Sequence, residues 1–529
     1  MWKKVIPVAA LTSALAVSTV TAAPANQNSQ SDHRNIDVQL LGINDFHGQL
    51  TTVTKVNGRE AGGVDYLAAY IREREKQNPN TLLVHAGDMV GGSPPISALL
   101  QDEPTINILN TLGFDIGTLG NHEFDEGVTE LKRLIYGGYH EKTGNFEGAN
   151  FPYIAANAVD KKTGQPLLPP FAVKNVNGVK IGFIGVVTKD TQNIVMPTMI
   201  ESVTFTDEAE AINKYAKVLK RMGVETIVVL AHNPGVTDAS GNTTGEMVDL
   251  AYKTDEEVDV IFGGHNHAYV NGTVNGKLLV QGNSYGSAFV DVDLTIDRKT
   301  KDVVAKKGEV VTTYRDAIQP DPQIKAMVDQ YAQQVAPLVN EVVGKSATAM
   351  NRTQSVAGES ALGNLIADAQ RLAMNGDIAL MNPGGIRNDL DAGDITWGEL
   401  YNIQPFGNEL RKLTLTGKDI RDILNMQWQV GKTRMLQISG MTYTWDAAAP
   451  IGSRILDIKL SNGELVTDEK TYTVVANAFI AAGGDGFTPF TRATNIVPGP
   501  VDLDALVNYV KASKEPVSAQ IEGRIQVKN

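Results

Sequence analysis

The sequence predicts an α/β protein of two domains joined by a helix, and three observations predict it. The chain has 529 residues, more than one compact core usually organises. From residue 36 to about 313, short apolar runs alternate with amphipathic stretches, the mark of layered helices and sheets. Past Asp321 a helical pattern separates this region from a second set of runs with different motifs. Hydrophobic residues at 42% and charged residues at 20% exclude a disordered chain.

Taken in order, residues 1–25, MWKKVIPVAALTSALAVSTVTAAPA, read as a signal peptide: two lysines, an apolar stretch over 5–20, then small residues at Ala22 and Ala23. That stretch is short for a membrane span, and no later segment offers roughly 18 uncharged apolar residues. An exported protein with no membrane span is expected, periplasmic or extracellular after cleavage. The chain has no cysteine, so stability rests on packed cores and metals, and thiolate ligands are excluded. The formal net charge of −13 disfavours a nucleic acid polymer or an anionic membrane as partner. An anionic small molecule would need local positive charge from a metal or arginine. Oligomeric state is not legible.

The first domain, 36–318, has strand-like runs at 38–41, 82–84, 179–187, 226–231 and 258–262, with helical stretches such as 64–75 and 105–112 between them. Asp321-Pro322 has the form of an N-cap with Pro at the first helical position, and Ile324, Met327, Val328, Tyr331 and Val335 follow at helical spacing. Pro337 is expected to kink or interrupt this connector, 319–345, which is read to end near Gly344. The second domain, 346–527, carries helical patterns at 360–374 and 418–428 and strand patterns at 378–381, 410–415 and 472–476.

Five segments of the first domain place ligand-type residues directly after an apolar run: Asn44-Asp45-Phe46-His47, Gly87-Asp88, Gly120-Asn121-His122-Glu123, Ala231-His232-Asn233 and Gly263-Gly264-His265-Asn266-His267. Carboxyl ends of strands in open α/β sheets are where ligands gather. Any one of these segments alone is more often a turn or a satisfied core histidine. Jointly they hold five of the chain's eight histidines. Asp and His without Cys suit borderline divalent metals, and a shared carboxylate can bridge two ions that clamp a nucleophilic water and a phosphoryl oxygen. His85 reads as a continuation of its strand, and Glu123 as a structural neighbour of the site.

The ordered motifs NDFHG, AGD, GNHEFD, AHNPG and GGHNH resemble those of the calcineurin-like metallophosphoesterases, and within them the bacterial and animal 5'-nucleotidase family. SALGNLIADA, NPGGIRNDL, QPFGNEL and NAFIAAGGDGF resemble that family's C-terminal domain, so the likeness spans nearly the whole mature chain. It implies a four-layer α/β/β/α metallophosphoesterase sandwich, a connector helix and a second α/β substrate-binding domain. It implies two divalent metal ions, zinc or manganese first, cobalt or magnesium next: one on Asp45, His47, Asp88 and His267, the other on Asp88, Asn121, His232 and His265. His267 stands where the family often has an amide.

By the same resemblance His122 is the catalytic histidine and Asp125 orients and charges it. Related enzymes for 2',3'-cyclic nucleotides tend to have Asn at the position of Asp125, so GNHEFD leans to 5'-nucleotidase chemistry. Arg387, with Asn382 beside it, supplies a cationic fork. Phe406 and Phe479 sandwich a base, Asn408 bonds its edge, and Asp485 accepts from the ribose hydroxyls. The family often has further arginines near the segment matched to SALGNLIADA, where this chain has Gly358 and Asn364; Arg352 is near in sequence but not aligned. The implied reaction is hydrolysis of a nucleoside 5'-phosphate by in-line attack of a metal-activated water. A UDP-sugar, NAD or a 2',3'-cyclic nucleotide is the alternative substrate, and a nucleotide-capture protein without catalysis is the alternative from another class. The resemblance also implies rotation of the second domain about a hinge near Gly344.

Overall fold

A computed structural model describes residues 34–528; the signal peptide read at 1–25 lies outside the described residues. In the first domain two six-stranded sheets lie face to face. One runs Val303–Thr312, Ala288–Asp297, Asn35–Ile43, Thr81–His85, Ile116–Thr118, Tyr153–Ile154, the last four parallel to one another. The other runs Phe171–Val176, Val179–Val187, Thr226–His232, Val258–Phe262, Lys277–Gly282, Tyr269–Val274, with its central four strands parallel and its edges antiparallel.

The strand pleat sorts neighbouring apolar residues into different layers. Leu40 enters the core between the sheets with Val84, Phe183, Leu230 and Phe262. Leu41 points the other way, onto Leu67 and Ile71 of the helix Val64–Glu75 and Leu109 of the helix Glu103–Leu112. Val229 and Ile261 are covered by Ile212 and Leu219 of the helix Glu208–Arg221 and by Leu250 of the helix Glu246–Lys253. Each fully buried Leu, Val or Ile contributes about 1.5–3 kcal/mol relative to exposure. The result is the four-layer α/β/β/α sandwich, and these strands read as continuous apolar runs because both of their faces are covered.

Asp321 caps the connector helix Pro322–Val339, its carboxylate accepting from the backbone N–H groups of Gln323 and Ile324. Pro337 lies inside the helix and does not interrupt it. A proline in the last turn costs one i−4 hydrogen bond, and the helix ends before more are lost. The end is therefore Val339 and not Gly344, which sits in the strand Val342–Ser346. A Cβ at Gly344 would lie 2.4 Å from Cγ1 of Val510, so close packing onto the helix Asp502–Ala512 accounts for this glycine.

The second domain is built on a sheet ordered Gln437–Ser439, Ile378–Met381, Thr471–Asn477, Glu409–Thr416, Thr494–Val501. The helix Ala361–Met374, capped by Ser360 through a bond from the Gly363 N–H, packs with Asp502–Ala512 in one core. The helix Gly417–Asn425 belongs to another core, under Leu413, Leu415 and Trp428. Loops after Ile378–Met381 and Thr471–Asn477, and the approach to Glu409–Thr416, face the first domain. Among the described residues no helix is long and apolar enough to cross a membrane.

Candidate active site

Five parallel strands of the first domain end at one place. Asp45 and His47 follow Asn35–Ile43, Asp88 follows Thr81–His85, Asn121 follows Ile116–Thr118, His232 closes Thr226–His232, and His265 and His267 follow Val258–Phe262. Asp45, His47, Asp88, His265 and His267 all have positive φ, between 49° and 82°. Left-handed backbone at bulky residues is strained, and its concentration here is the habit of functional sites.

The side chains form two groups whose ligand atoms lie within 4.8 Å of one another: Asp45, His47 and His267, and Asp88, His232 and His265. Asn121 joins the second group, its Oδ1 2.9 Å from Nδ1 of His265. Asp88 lies between them, with Oδ2 3.0 Å from Nε2 of His232 and 3.7 Å from Nε2 of His47.

The protonation logic of these contacts tests whether metal ions fit. His47 Nδ1 donates to the Gly91 carbonyl and His232 Nδ1 to the Ala86 carbonyl, each at 2.8 Å, so Nε2 of each neutral ring carries a lone pair. Nε2 of His47 then faces Nε2 of His267 at 3.2 Å, and Nε2 of His232 faces a carboxylate at 3.0 Å without hydrogen-bond geometry. Each contact can be held by a proton or by a metal ion in its place. Burial opposes a charged His232, yet the Asp88 carboxylate raises its pKa to about 10, a proton standing in for the ion. Burial raises Asp45 to about 7. Burial and the neighbouring cations hold His265 and His267 near 3, so both are neutral and free to ligate at pH 7. Asp45 and Asp88, 0% and 1% exposed, would be costly as bare charges. Oxygen and imidazole donors in this number suit divalent metal ions.

His122 stands against this cradle. Its Nδ1 is 2.7 Å from Oδ2 of Asp125, its backbone N–H donates to Oδ1 of Asp88, and it is grouped with His47 and Asp88. Burial opposes its protonation, but Asp125 and Asp88 raise its pKa above the ordinary value. Glu123 accepts from the backbone N–H groups of Gly120, Asp88 and Met89, clamping the loops of Asp88 and Asn121 together, a structural part. His85 ends its strand, ringed by Phe114, Phe151 and Tyr153.

Facing the cradle across a cavity of about 500 Å3 are Asn382, Arg387, Phe406, Asn408, Phe479 and Asp485. Asp88, Asn121, His122, Asp125, His265 and His267 line the opposite side, while Asp45, His47 and His232 lie buried beneath. Phe406 stacks at 5.8 Å on His122 across the domain boundary, and the Arg387 guanidinium lies 5.6 Å from the Phe406 ring centre. Asn364 is turned inward to Glu359 and the Gln520 carbonyl, and the Arg352 guanidinium donates to the Ile386 carbonyl; neither lines the cavity. A Cβ at Gly358 would meet Met435.

Sequence reasoning missed two contributions. Arg434, in no motif, lines the cavity beside Asp485. Ile194, Val195 and Met196, at the end of the short helix Thr191–Ile194, add an apolar wall from the first domain. Lys432, paired with Asp190, ties that segment to the second domain.

Residues 38–269 match the calcineurin-like phosphoesterase family and 342–492 the C-terminal domain of 5'-nucleotidase. The chain is 46% identical over 96% of its length to Endonuclease YhcR of Bacillus subtilis, of which it spans 42%, and 36% identical over 96% to Cell wall protein Lmo0130 of Listeria monocytogenes, of which it spans 71%. The crystal structure of a 5'-nucleotidase precursor from Thermus thermophilus superposes with a TM-score of 0.80 at 31% identity, covering 93% of this chain and 100% of that one. With both domains matched in order, and the motif-bearing strand ends gathered at one cleft, the chain belongs to the 5'-nucleotidase family of calcineurin-like metallophosphoesterases.

Proposed function

We propose that the chain is an exported dimetal phosphohydrolase that converts nucleoside 5'-phosphates to nucleoside and phosphate. The observation that carries the reading is a cavity lined on one side by Asp, Asn and His donors able to hold metal ions and on the other by two aromatic rings, arginines and a carboxylate. Asp45, His47, Asp88 and His267 would hold one ion; Asp88, Asn121, His232 and His265 the other. Such a pair, when bound, supplies an activated water as nucleophile and positive charge opposite the phosphoryl oxygens.

The chain's own residues do the remaining work. Arg387 offers a planar fork to the phosphoryl oxygens and fixes the substrate for in-line displacement. Phe406 and Phe479 hold the base by stacking, which every base permits, and Asn408 bonds its edge. Asp485, steadied by Asn382 at 3.2 Å, accepts from the ribose hydroxyls. Asp125 keeps the proton on Nδ1 of His122, so that Nε2 can stabilise charge on the phosphoryl group or donate a proton to the departing 5' oxygen. A capture protein has no use for that His122–Asp125 pair.

A phosphodiester or pyrophosphate substrate is the second reading, supported by the endonuclease name of the 46% identical relative and by a cradle that grips phosphate rather than the leaving group. Export is supported by the leader pattern at 1–25 and by the likeness to a cell wall protein.

The test is phosphate release from AMP, UDP-glucose, NAD and 2',3'-cyclic AMP by metal-stripped protein resupplied with zinc, manganese, cobalt or magnesium, an auxiliary phosphatase revealing cleavage to phosphomonoesters. Fast metal-dependent release from AMP is expected. Silence on AMP with turnover of a diester moves the assignment to the second reading.

A further inference from the structure

Arg434 borders the cavity with donors to spare. Its Nε lies 3.2 Å from Oδ1 of Asp485, whose Oδ2 accepts from Asn382 Nδ2 at 3.2 Å, so the carboxylate sits between an amide and a guanidinium. Arg434 Nη1 donates to Oε1 of Gln429 at 3.1 Å, and Gln429 Nε2 donates to the Asp485 carbonyl at 2.7 Å. The guanidinium is thus braced by a residue that also braces Asp485. A guanidinium carries five N–H donors in a rigid fork. The Gln429 hydrogen bond and the Asp485 ion pair engage it, Asp190 of the first domain acts on it through charge, and the side chain keeps 19% exposure at the cavity edge. The Asp485 and Gln429 contacts use Nε and Nη1 alone, and the fork has further N–H donors at the cavity edge.

The position indicates what that is. With a phosphoryl group at the metal cradle and a base between Phe406 and Phe479, the sugar lies between them. Asp485 is the one carboxylate that the second domain contributes to the described cavity lining, and it suits the vicinal hydroxyls of a ribose. Its partner Arg434 would then stand beside the 2' and 3' oxygens. We propose that Arg434 is a specificity-determining residue that admits nucleoside 5'-phosphates carrying a second phosphate on the ribose, an inference that rests on the nucleotidase reading of the site. Guanidinium and phosphate pair in bidentate fashion, and the fork would screen that phosphate from Asp485. In the reaction, water adds to the 5' phosphorus and the P–O5' bond breaks. The 5' oxygen leaves as a hydroxyl with one proton from water, orthophosphate keeps the water oxygen, and the ribose phosphate is untouched.

The experiment uses the full chain loaded with manganese or zinc, wild type beside Arg434→Gln and Arg434→Lys. KM and kcat are measured for AMP, adenosine 3',5'-bisphosphate and adenosine 2',5'-bisphosphate, with products identified by chromatography. Wild type is expected to release the 5' phosphate of at least one bisphosphate. Arg434→Gln should raise KM for that bisphosphate about 10- to 100-fold more than KM for AMP, the range for losing a charge-assisted hydrogen bond, and Arg434→Lys should restore part of it. KM is the readout because a misfolded fraction lowers kcat and leaves KM alone. Equal changes for AMP and the bisphosphate in Arg434→Gln reduce Arg434 to a counter-ion and overturn the proposal, as does a wild type that turns over AMP but neither bisphosphate. A wild type silent on AMP and on both bisphosphates overturns the nucleotidase reading, and this inference with it.

Discussion

At and beneath the first-domain wall of the cavity, Asp45, His47, Asp88 and His232 are at most 1% exposed, hang from strand ends, and with their neighbours bend the backbone into left-handed conformations. On the second-domain wall, Arg387, Phe406, Phe479 and Asp485 are half-buried, the first two on loops, Phe479 on the short helix Ala478–Ala481 and Asp485 on the single turn Gly484–Gly486. On the proposed function, the buried wall holds groups that must keep their spacing to within fractions of an ångström while charge develops. On the same reading, the half-buried wall holds groups that must admit and release a molecule. Damage to the first should therefore appear in kcat, and damage to the second in KM.

The largest test of that division is Asp88→Asn, which removes the carboxylate facing both histidine groups. It should cut phosphate release from AMP by more than about a thousandfold with loss of bound metal by elemental analysis; an effect confined to KM would break the comparison.

His122→Ala should lower kcat by about 10²- to 10⁴-fold with both metals retained, and metal loss would count against its assigned role. Its pH behaviour has a definite sign. Burial depresses the His122 pKa while Asp125 and Asp88 raise it further than burial lowers it. Asp125→Asn removes the larger of the two raising charges, so the imidazolium is lost at lower pH and the alkaline limb of the rate profile should move toward acid.

The recognition wall leans on a titrating group of its own. Burial pushes Asp502 to about 7, against bonds from the Leu503 N–H and the Asn408 side chain. The native state holds that proton where the unfolded chain has lost it, so stability should fall as pH rises from about 4 to about 7, by on the order of 2–4 kcal/mol, and stay level above. Asp502→Asn should flatten this slope in urea unfolding; an unchanged slope would place the titration elsewhere.

The mildest test is Phe479→Ala. Losing one stacking face costs about 1–3 kcal/mol, so KM should rise roughly 5- to 100-fold with kcat within about threefold. A collapse of kcat instead would show that the two walls do not divide their labour.

The buried wall was legible in the sequence because Asp and His directly after an apolar run are out of place there, and five of eight histidines sharing that placement is hard to explain otherwise. The other wall was legible only by resemblance, since a Phe or Arg in a loop has ordinary structural uses. Arg434 was not legible at all: its meaning comes from Asp485, a residue brought beside it by the fold and not by spacing along the chain. Ile194, Val195 and Met196 look like any short apolar run until the second domain closes a cavity over them. The end of the connector was misplaced because Gly344 resembles a helix stop, whereas tight packing against Val510 is what demands it.

The cavity also bears on inheritance. The groups proposed to react and those proposed to recognise lie on halves with cores of their own, joined by one helix. A lineage can redraw the second half, residue by residue, and present the same chemistry to a new molecule without disturbing the machinery that performs it.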